Sequence, residues 1–339
     1  MKQGHVVTVL SLSDDKRKSL KSDQWETQLI FRKTPLPIRI LLTSIRIAML
    51  ARKSDFILAN GLHQEVAISK FFVKRPALAK IVGDPVWERY RNSSGKGDVS
   101  IEDFNSTKQT FLIRCQREFL RWSLNRFDLV SAPGTGLIEL VGKWQVTTPT
   151  LLIENGTRCT SGMPAKAIYD SISVSRLVPW KNLESFVRSA SQGDFKIAIC
   201  GDGPEKDNLM KLSQSLGAEV EFLGELTSVG VRNALQSSKT FVNLSSYEGL
   251  SFSLIEAMME SKVCIVSDIK GNTDVIEHGF NGIVVPLGST KKLIEAIEQC
   301  LDNPEYAAQL GKNARKIAQM NYCEEKQFNK MMVSLLGLA

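Results

Sequence analysis

Residues 245–268 read SSYEGLSFSLIEAMMESKVCIVSD, and this stretch decides the fold of the chain. It predicts the end of a buried strand, a short polar loop, a helix that starts near Ser251, and a second strand rich in β-branched residues. Strand, helix and strand in this order are typical of a parallel sheet with helices packed on its faces. Glu248 lies in the loop, and Glu256 lies eight positions later, inside the helix.

The same alternation continues in both directions along the chain and predicts an α/β fold with two doubly wound, Rossmann-like parallel-sheet domains. Small and turn-forming residues at 156–167 indicate the join between the domains. We therefore predict a first domain at 1–160, a second at 168–320, and a C-terminal helix at 321–339 that packs back on the first domain. The predicted strands are HVVTVLSL, QLIFR, DFILAN, LAKIVGD, DLVSAP and TLLIENG, then SISVSRL, KIAICGDG, VEFLGEL, TFVNLSS, VCIVSD and GIVVPL.

Composition excludes several classes of protein. With 339 residues, 43% hydrophobic and 23% charged, the chain has globular rather than disordered or low-complexity composition. Its six cysteines form no C-x-x-C pair and it has only three histidines, so we expect neither a metal site nor a cofactor. We expect the thiols to be reduced, which favours a cytoplasmic protein.

The charge is uneven, because residues 1–150 hold 24 Lys and Arg against 14 Asp and Glu, whereas residues 151–339 hold 19 against 22. A basic first half favours an anionic partner, such as a phospholipid surface, a lipid diphosphate or nucleic acid, although a solvated basic surface is as good an account. The segment PIRILLTSIRIAMLARK (37–53) could lie on an anionic membrane surface as an amphipathic helix. We favour a crossover helix packed on a sheet. No recognition-helix pattern or set of stacking aromatics supports nucleic acid.

Two groups of residues suggest a ligand with phosphates and hydroxyls. Residues 249–251 are predicted to present free backbone N–H groups at a helix start, where anions bind, and Glu248 beside them can accept hydrogen bonds from hydroxyls. Arg176 and Lys181 are predicted at a strand end and just before the next helix, where two cations can neutralise a diphosphate. Solvated first-turn glutamates and an ordinary surface pair are the simpler explanations of each group taken alone. The G-x-G of KIAICGDGP is weak evidence for nucleotide binding.

The order and spacing of these segments resemble the second domain of the retaining nucleotide-sugar glycosyltransferases of family four, which have the GT-B fold with two domains facing across a cleft. The resemblance implies that Arg176 and Lys181 bind the donor diphosphate, that Glu248 contacts hydroxyls of the donor sugar, and that Glu256 binds the ribose. The donor-binding set that it implies is Gly201, Leu223, Gly224, Gly249, Leu250, Ser251 and Glu256.

The chain departs from the family pattern in its first half. Family members commonly have a histidine in the loop after the fourth strand, whereas here KIVGDPVWER (80–89) places Asp84 there, and we group Asp84 with Arg176, Lys181 and Glu248 as catalytic candidates. Members also begin with a strand, a Gly-rich loop and a helix before the segment that corresponds to GHVVTVL (4–10). We therefore expect a first domain without its first strand and Gly-rich loop, in a chain that is truncated or degenerate.

The resemblance implies a function. It implies retaining, metal-independent transfer of a sugar from a UDP- or GDP-linked donor to a saccharide or lipid-linked saccharide in cell-surface polysaccharide or lipopolysaccharide synthesis, in the cytoplasm or at the inner face of the membrane. The absence of any D-x-D sequence agrees with metal independence. The alternative is a non-catalytic homologue that binds sugar nucleotides.

Overall fold

The computed structural model describes residues 4–14, 19–21, 25–93, 99–160 and 166–338. The strands of the first domain lie in two sheets. In one sheet, of order β1-β3-β2, β1 (Thr8–Ser13) pairs parallel with β3 (Glu26–Phe31), and β2 (Ser19–Lys21) pairs antiparallel with β3. The other sheet is parallel and contains, in order, β4 (Ile57–Ala59), β5 (Ala77–Lys80), β6 (Leu129–Ala132) and β7 (Thr150–Leu152). The prediction placed all of these strands except β2.

Among the described residues of this domain, the helices are α1 (Leu36–Ala51), α2 (His63–Ser69), α3 (Pro85–Ser93), α4 (Ile101–Ser106), α5 (Phe111–Leu124) and α6 (Thr135–Lys143). The helix α1 corresponds to the basic amphipathic segment. It packs against α2 and buries Ile47, Ala48 and Ala51, as expected of a crossover helix. Its opposite face exposes apolar side chains, among them Leu41 and Ile45.

The second domain has one six-stranded parallel sheet of order β10-β9-β8-β11-β12-β13, which confirms the predicted doubly wound fold. All of its strands were predicted. They are β8 (Tyr169–Val174), β9 (Ile197–Cys200), β10 (Val220–Gly224), β11 (Ser238–Asn243), β12 (Val263–Ser267) and β13 (Ile283–Val285).

Helices cover both faces of this sheet. On one face, a buried apolar cluster joins it to α7 (Leu183–Gly193), α8 (Lys206–Leu216) and α12 (Thr290–Asp302). On the other face, a second cluster joins it to α9 (Ser228–Gln236), α10 (Phe252–Met259) and α13 (Pro304–Asn321). The short helix α11 (Lys270–Thr273) follows β12.

The C-terminal segment contains two helices separated by a break. It breaks at Tyr322 and Cys323, where the Thr157 N–H donates to the Tyr322 carbonyl and the Glu324 N–H donates to the Thr157 carbonyl, both at 2.9 Å. A final helix, α14 (Glu324–Leu336), then lies against the first domain, because Leu335 packs with Leu78 and Ile153. Part of the predicted join, residues 161–165, lies outside the described residues.

Within the described ranges, no group of three or more His, Cys, Asp or Glu side chains could hold a metal ion. Among the helices of these ranges, none has the length and apolar character needed to cross a membrane.

Candidate active site

The loop between β11 and α10, residues 244–251, forms the centre of the site. It lies at the carboxyl edge of the second sheet, where ligands bind in doubly wound folds. Its conformation is held by polar contacts: the Asn243 Oδ1 accepts from the backbone N–H of Ser245 at 3.2 Å and lies 2.7 Å from the Ser245 hydroxyl. The loop is tied to the segment before α7, since the Ser246 N–H donates to the Trp180 carbonyl at 2.8 Å.

Lys181 and Glu248 form an ion pair in this loop region. Both side chains are largely buried, at 15% and 13% exposure, and the Ser245 hydroxyl lies 2.7 Å from the same Glu248 oxygen. Lys181 ends a short 3₁₀ turn, and Asn182 follows it in the left-handed conformation with its side-chain amide bonded to the Leu244 carbonyl at 2.9 Å. The structure therefore brings together two of the predicted residues, 67 positions apart in sequence.

Free backbone donors lie beside this ion pair. Ser251 caps α10 by accepting from the Leu254 N–H at 3.3 Å, so the helix starts where the sequence predicts. In the described part of the chain, the N–H groups of Gly249, Leu250 and Ser251 have no hydrogen-bond partner. Unpaired N–H groups at a helix start attract anions.

Two glycines lie in close contact with two consecutive carbonyl groups of this loop, those of Glu248 and Gly249. A Cβ on residue 134, in the first domain, would overlap the Gly249 carbonyl and lie 3.2 Å from its carbon. A Cβ on residue 271 would overlap the Glu248 carbonyl oxygen and lie 2.9 Å from its carbon. The backbone at Glu248 and Gly249 thus packs closely against Gly271 of the second domain and Gly134 of the first.

Arg176 follows β8 at the same edge. Its side chain is exposed and has no hydrogen bond or ion pair with any described residue, so it is free to bind an anion. The G-x-G turn supports its loop: Gly201 has a φ of +132°, and a Cβ there would lie 2.9 Å from the carbonyl carbon of Ser175. The Leu177 N–H donates to the Asp202 carbonyl at 2.9 Å. The close backbone contacts of Gly201 therefore support the loop that contains Arg176.

Glu256 faces a separate part of the site. It helps to line a cavity of about 400 Å³ between α9, α10 and the segment after β7. Burial raises its pKa, whereas Arg232 on α9 lowers it. Arg176, Lys181 and Glu248 do not line this cavity. Leu223 and Gly224 end β10. The Gly224 carbonyl accepts from the Gly201 N–H at 2.8 Å, so these residues lie beside the turn that supports the Arg176 loop.

Asp84 has a structural role that conflicts with the predicted catalytic one. It is fully buried, accepts from the N–H groups of Val86 and Trp87 at 3.0 and 3.1 Å, and holds Arg117 through a bidentate ion pair at 3.0 and 2.7 Å. Both carboxylate oxygens are thus occupied as the cap of α3 and the partner of a cation. This geometry accounts for Asp84 as a structural residue, and its catalytic role stays a prediction.

Three aromatic rings join the domains beside this site. Trp87 on α3 packs on Trp180 and on Tyr247, with ring centroids 5.7 and 5.1 Å apart. The Arg91 guanidinium lies over both indoles, at 4.9 and 5.3 Å. Sequence reasoning missed this layer and also missed Glu88, which the same helix carries toward the second domain. The only signal for Glu88 was its position one helical turn after Asp84.

The whole structure is similar to sucrose-phosphate synthase from Thermosynechococcus elongatus, with a TM-score of 0.83 over 100% of this chain and 91% of that chain at 18% identity. At this identity the likeness shows the fold, which is the GT-B arrangement of two Rossmann-like domains across a cleft.

Residues 166–317, which include most of the second domain, match the family of glycosyl transferases group 1. The chain is 28% identical over 156 residues to alpha-D-kanosaminyltransferase from Streptomyces kanamyceticus, a match that covers 44% of this chain and 40% of that protein. It is 29% identical over 141 residues to UDP-Gal:alpha-D-GlcNAc-diphosphoundecaprenol alpha-1,3-galactosyltransferase from Escherichia coli, covering 38% of this chain and 36% of that protein. These matches span well under half the length of either relative.

Proposed function

We propose that this chain is a retaining, metal-independent glycosyltransferase that moves a sugar from a nucleoside-diphosphate sugar to a saccharide or lipid-linked saccharide. The observation that carries the proposal is the convergence, at one sheet edge, of an unpaired arginine, a buried Lys–Glu pair and three free backbone N–H groups. Such a set fits a diphosphate next to a hydroxylated ring. The UDP-galactose donor in the name of the Escherichia coli relative supports UDP as the first nucleotide to test.

In this proposal, each group has a role. As the bond between the anomeric carbon and the diphosphate oxygen breaks, negative charge builds up on the diphosphate, and Arg176 and Lys181 stabilise it together with the N–H groups of 249–251. Glu248 accepts hydrogen bonds from donor-sugar hydroxyls, and Glu256, in its cavity, binds the ribose. Fixed cations then do the work that a divalent metal does elsewhere.

The test uses Lys181→Met and Glu248→Gln, with Lys239→Met as the matched control. Lys239 pairs with Asp170 at 2.8 Å at the start of β11, which is the opposite edge of the same sheet. We expect about 100-fold slower donor turnover in the two site variants and wild-type turnover in the control. Wild-type turnover in both site variants would refute the assignment. Melting temperatures show whether each variant is folded.

A second candidate is a sugar-nucleotide-binding protein without catalysis. The division of the first domain into two sheets favours it, because this differs from the single doubly wound sheet expected of each domain of an active GT-B enzyme. Calorimetry with UDP and GDP, run beside a donor-hydrolysis assay, separates the two candidates. Binding without turnover supports the second candidate, and turnover excludes it.

We also propose that the first domain approaches an anionic membrane surface at the inner face of the membrane, where a lipid-linked acceptor would be available. The basic charge of residues 1–150 supports this proposal. So does the exposed face of α1, which combines apolar side chains with Arg46. The exposed apolar residues of this helix are Leu36, Ile38, Leu41, Leu42, Ile45 and Met49.

Vesicle co-sedimentation tests this surface. We expect binding to vesicles of phosphatidylcholine with phosphatidylglycerol, weaker binding to phosphatidylcholine alone, and loss of binding in Ile45→Asp. Val333→Asp is the control, because Val333 is an exposed apolar residue on α14. Vesicle binding that changes neither with the anionic lipid content nor in Ile45→Asp would contradict the proposal.

A further inference from the structure

Glu88 brings a carboxyl group of the first domain to the donor cleft. It lies in the first turn of α3, and its carboxyl group rests over Gly83, where a Cβ would overlap Oε1 and lie 3.4 Å from Cδ. The loop that contains Gly83 touches the central loop of the site. A Cβ on Gly249 would lie 3.1 Å from the Val82 carbonyl oxygen, and a Cβ on Gly83 would lie 4.0 Å from the Tyr247 ring.

The cations that act on Glu88 are the two proposed for the diphosphate. Arg176 and Lys181 favour its ionised form, while burial and the nearby Asp84 raise its pKa, burial being the larger cause. The Glu88 side chain has no hydrogen bond or ion pair with any described residue. Arg176 and Lys181, which this half-buried carboxyl group does not contact directly, are therefore the groups that lower its pKa.

The other charged groups nearby are already engaged. Asp84 is paired with Arg117. Glu248 is paired with Lys181, and Arg91 lies against the two indole rings. Tyr247 faces Glu88 with a phenol whose pKa burial raises well above its ordinary value, so it stays neutral. Arg176 and Lys181 are thus the groups whose positive charge a bound diphosphate would offset.

A diphosphate between Arg176 and Lys181 would cancel the field that favours ionised Glu88, and it would add negative charge of its own. Both effects disfavour a carboxylate at this place and favour the carboxylic acid. A carboxylic acid has one O–H donor, and a phosphate oxygen can accept a hydrogen bond from it.

We propose that Glu88 is a third member of the diphosphate site, protonated when the donor is bound and donating its O–H to a diphosphate oxygen. This inference rests on the proposed function and deepens it, since it adds a first-domain group to the donor site. The same hydrogen bond would stabilise the diphosphate as the bond to the sugar breaks. This hydrogen bond would then form at the same time as the two domains close.

The experiment measures UDP affinity by calorimetry from about pH 6 to about pH 9, above the ordinary pKa of a glutamate, because burial raises the pKa of Glu88. The proteins are the wild type, Glu88→Gln, Glu88→Ala and the control Glu118→Gln, an exposed glutamate that pairs with Arg121. Because all proteins share the same UDP and buffers, the titration of UDP itself cancels from the comparison. Melting temperatures establish that each protein is folded.

We expect wild-type and Glu118→Gln affinities to fall together as the pH rises. Glu88→Gln keeps a hydrogen-bond donor and carries no charge, so it should bind UDP at the alkaline end more tightly than the wild type does. Glu88→Ala should lack the same pH dependence and bind about tenfold more weakly than Glu88→Gln. Calorimetry of the wild type in two buffers of different ionisation enthalpy should also show proton uptake on binding.

Each other outcome counts against the proposal. A Glu88→Gln protein with the wild-type pH dependence, or with the same loss as Glu88→Ala, would overturn the role of Glu88 and leave the proposed function standing. Absence of proton uptake when the wild type binds UDP would by itself overturn the role of Glu88. Failure of every protein to bind UDP or GDP at any pH would refute the proposed function, and the role of Glu88 with it.

Discussion

The close packing of Gly271 against Glu248 gives a sharp test of how the site is positioned. A Cβ at residue 271 would lie 2.9 Å from the carbonyl carbon of Glu248 and 3.0 Å from its Cβ, whereas ordinary van der Waals contact begins near 3.4 Å and extends to 4 Å. Gly271→Ala must therefore move the Glu248 backbone by about 0.5–1 Å. The next residue is also closely packed, because a Cβ on Gly134 would lie 3.2 Å from the carbonyl carbon of Gly249 and a Cβ on Gly249 would lie 3.1 Å from the Val82 carbonyl oxygen.

A displacement of this size acts mainly on function. Misplacing a group in a site by about 1 Å can cost about 100-fold in rate, whereas overpacking costs about 1–3 kcal/mol of stability. We expect Gly271→Ala to remain folded with a lower melting temperature and to lose about 100-fold in donor turnover. The control is Gly142→Ala in α6, where a Cβ meets nothing within 4 Å and should stabilise the helix by about 0.5–1 kcal/mol. Wild-type turnover in Gly271→Ala would refute the view that this glycine positions Glu248.

Two further predictions concern a buried ion pair and a pair of thiols. Asp84→Asn should lower the free energy of unfolding by about 3–5 kcal/mol in denaturant titrations, because it leaves Arg117 without its buried carboxylate; a change below about 1 kcal/mol would contradict the structural role. Oxidised glutathione should link Cys159 to Cys323 by thiol–disulfide exchange, because their sulfur atoms lie 2.7 Å apart, and should leave only a mixed disulfide on the exposed Cys115. The link should form faster as pH rises, since burial and the neighbouring Cys323 raise the pKa of Cys159 to about 11. Mass spectrometry of alkylated peptides checks this, and free thiols at both positions after oxidation would contradict it.

The second domain could be predicted in detail because its signals are local. Strand, loop and helix follow one another within residues 245–268, and parallel strands bring the ends of β8 and β11 to one edge. The prediction therefore placed Arg176, Lys181 and Glu248 at the same edge. Their roles toward a donor stay predictions until the variants are measured.

The first domain was harder to predict because its determining contacts are distant in sequence. Asp84 and Arg117 are 33 residues apart, and nothing local indicates that they pair. The place of Glu88 depends on how the two domains pack, which periodicity does not encode. The strand β2 has three residues, too few for an alternating pattern. The helical pattern continues through Tyr322, so the break there follows only from its pairing with Thr157.

The pairing of Thr157 with Cys323 also determines how the two domains can move. The chain passes between the domains twice, once after β7 and once between α13 and α14, and a short parallel bridge holds these two passages side by side. Gly156 brings them into close contact, because a Cβ there would lie 2.8 Å from the Cα of Glu324. Two adjacent crossings that are bonded to each other restrain relative movement of the domains more than one single-stranded linker would. We expect them to act as the hinge of the cleft, so that the first-domain side chains meet the second domain at the same place whenever the cleft closes.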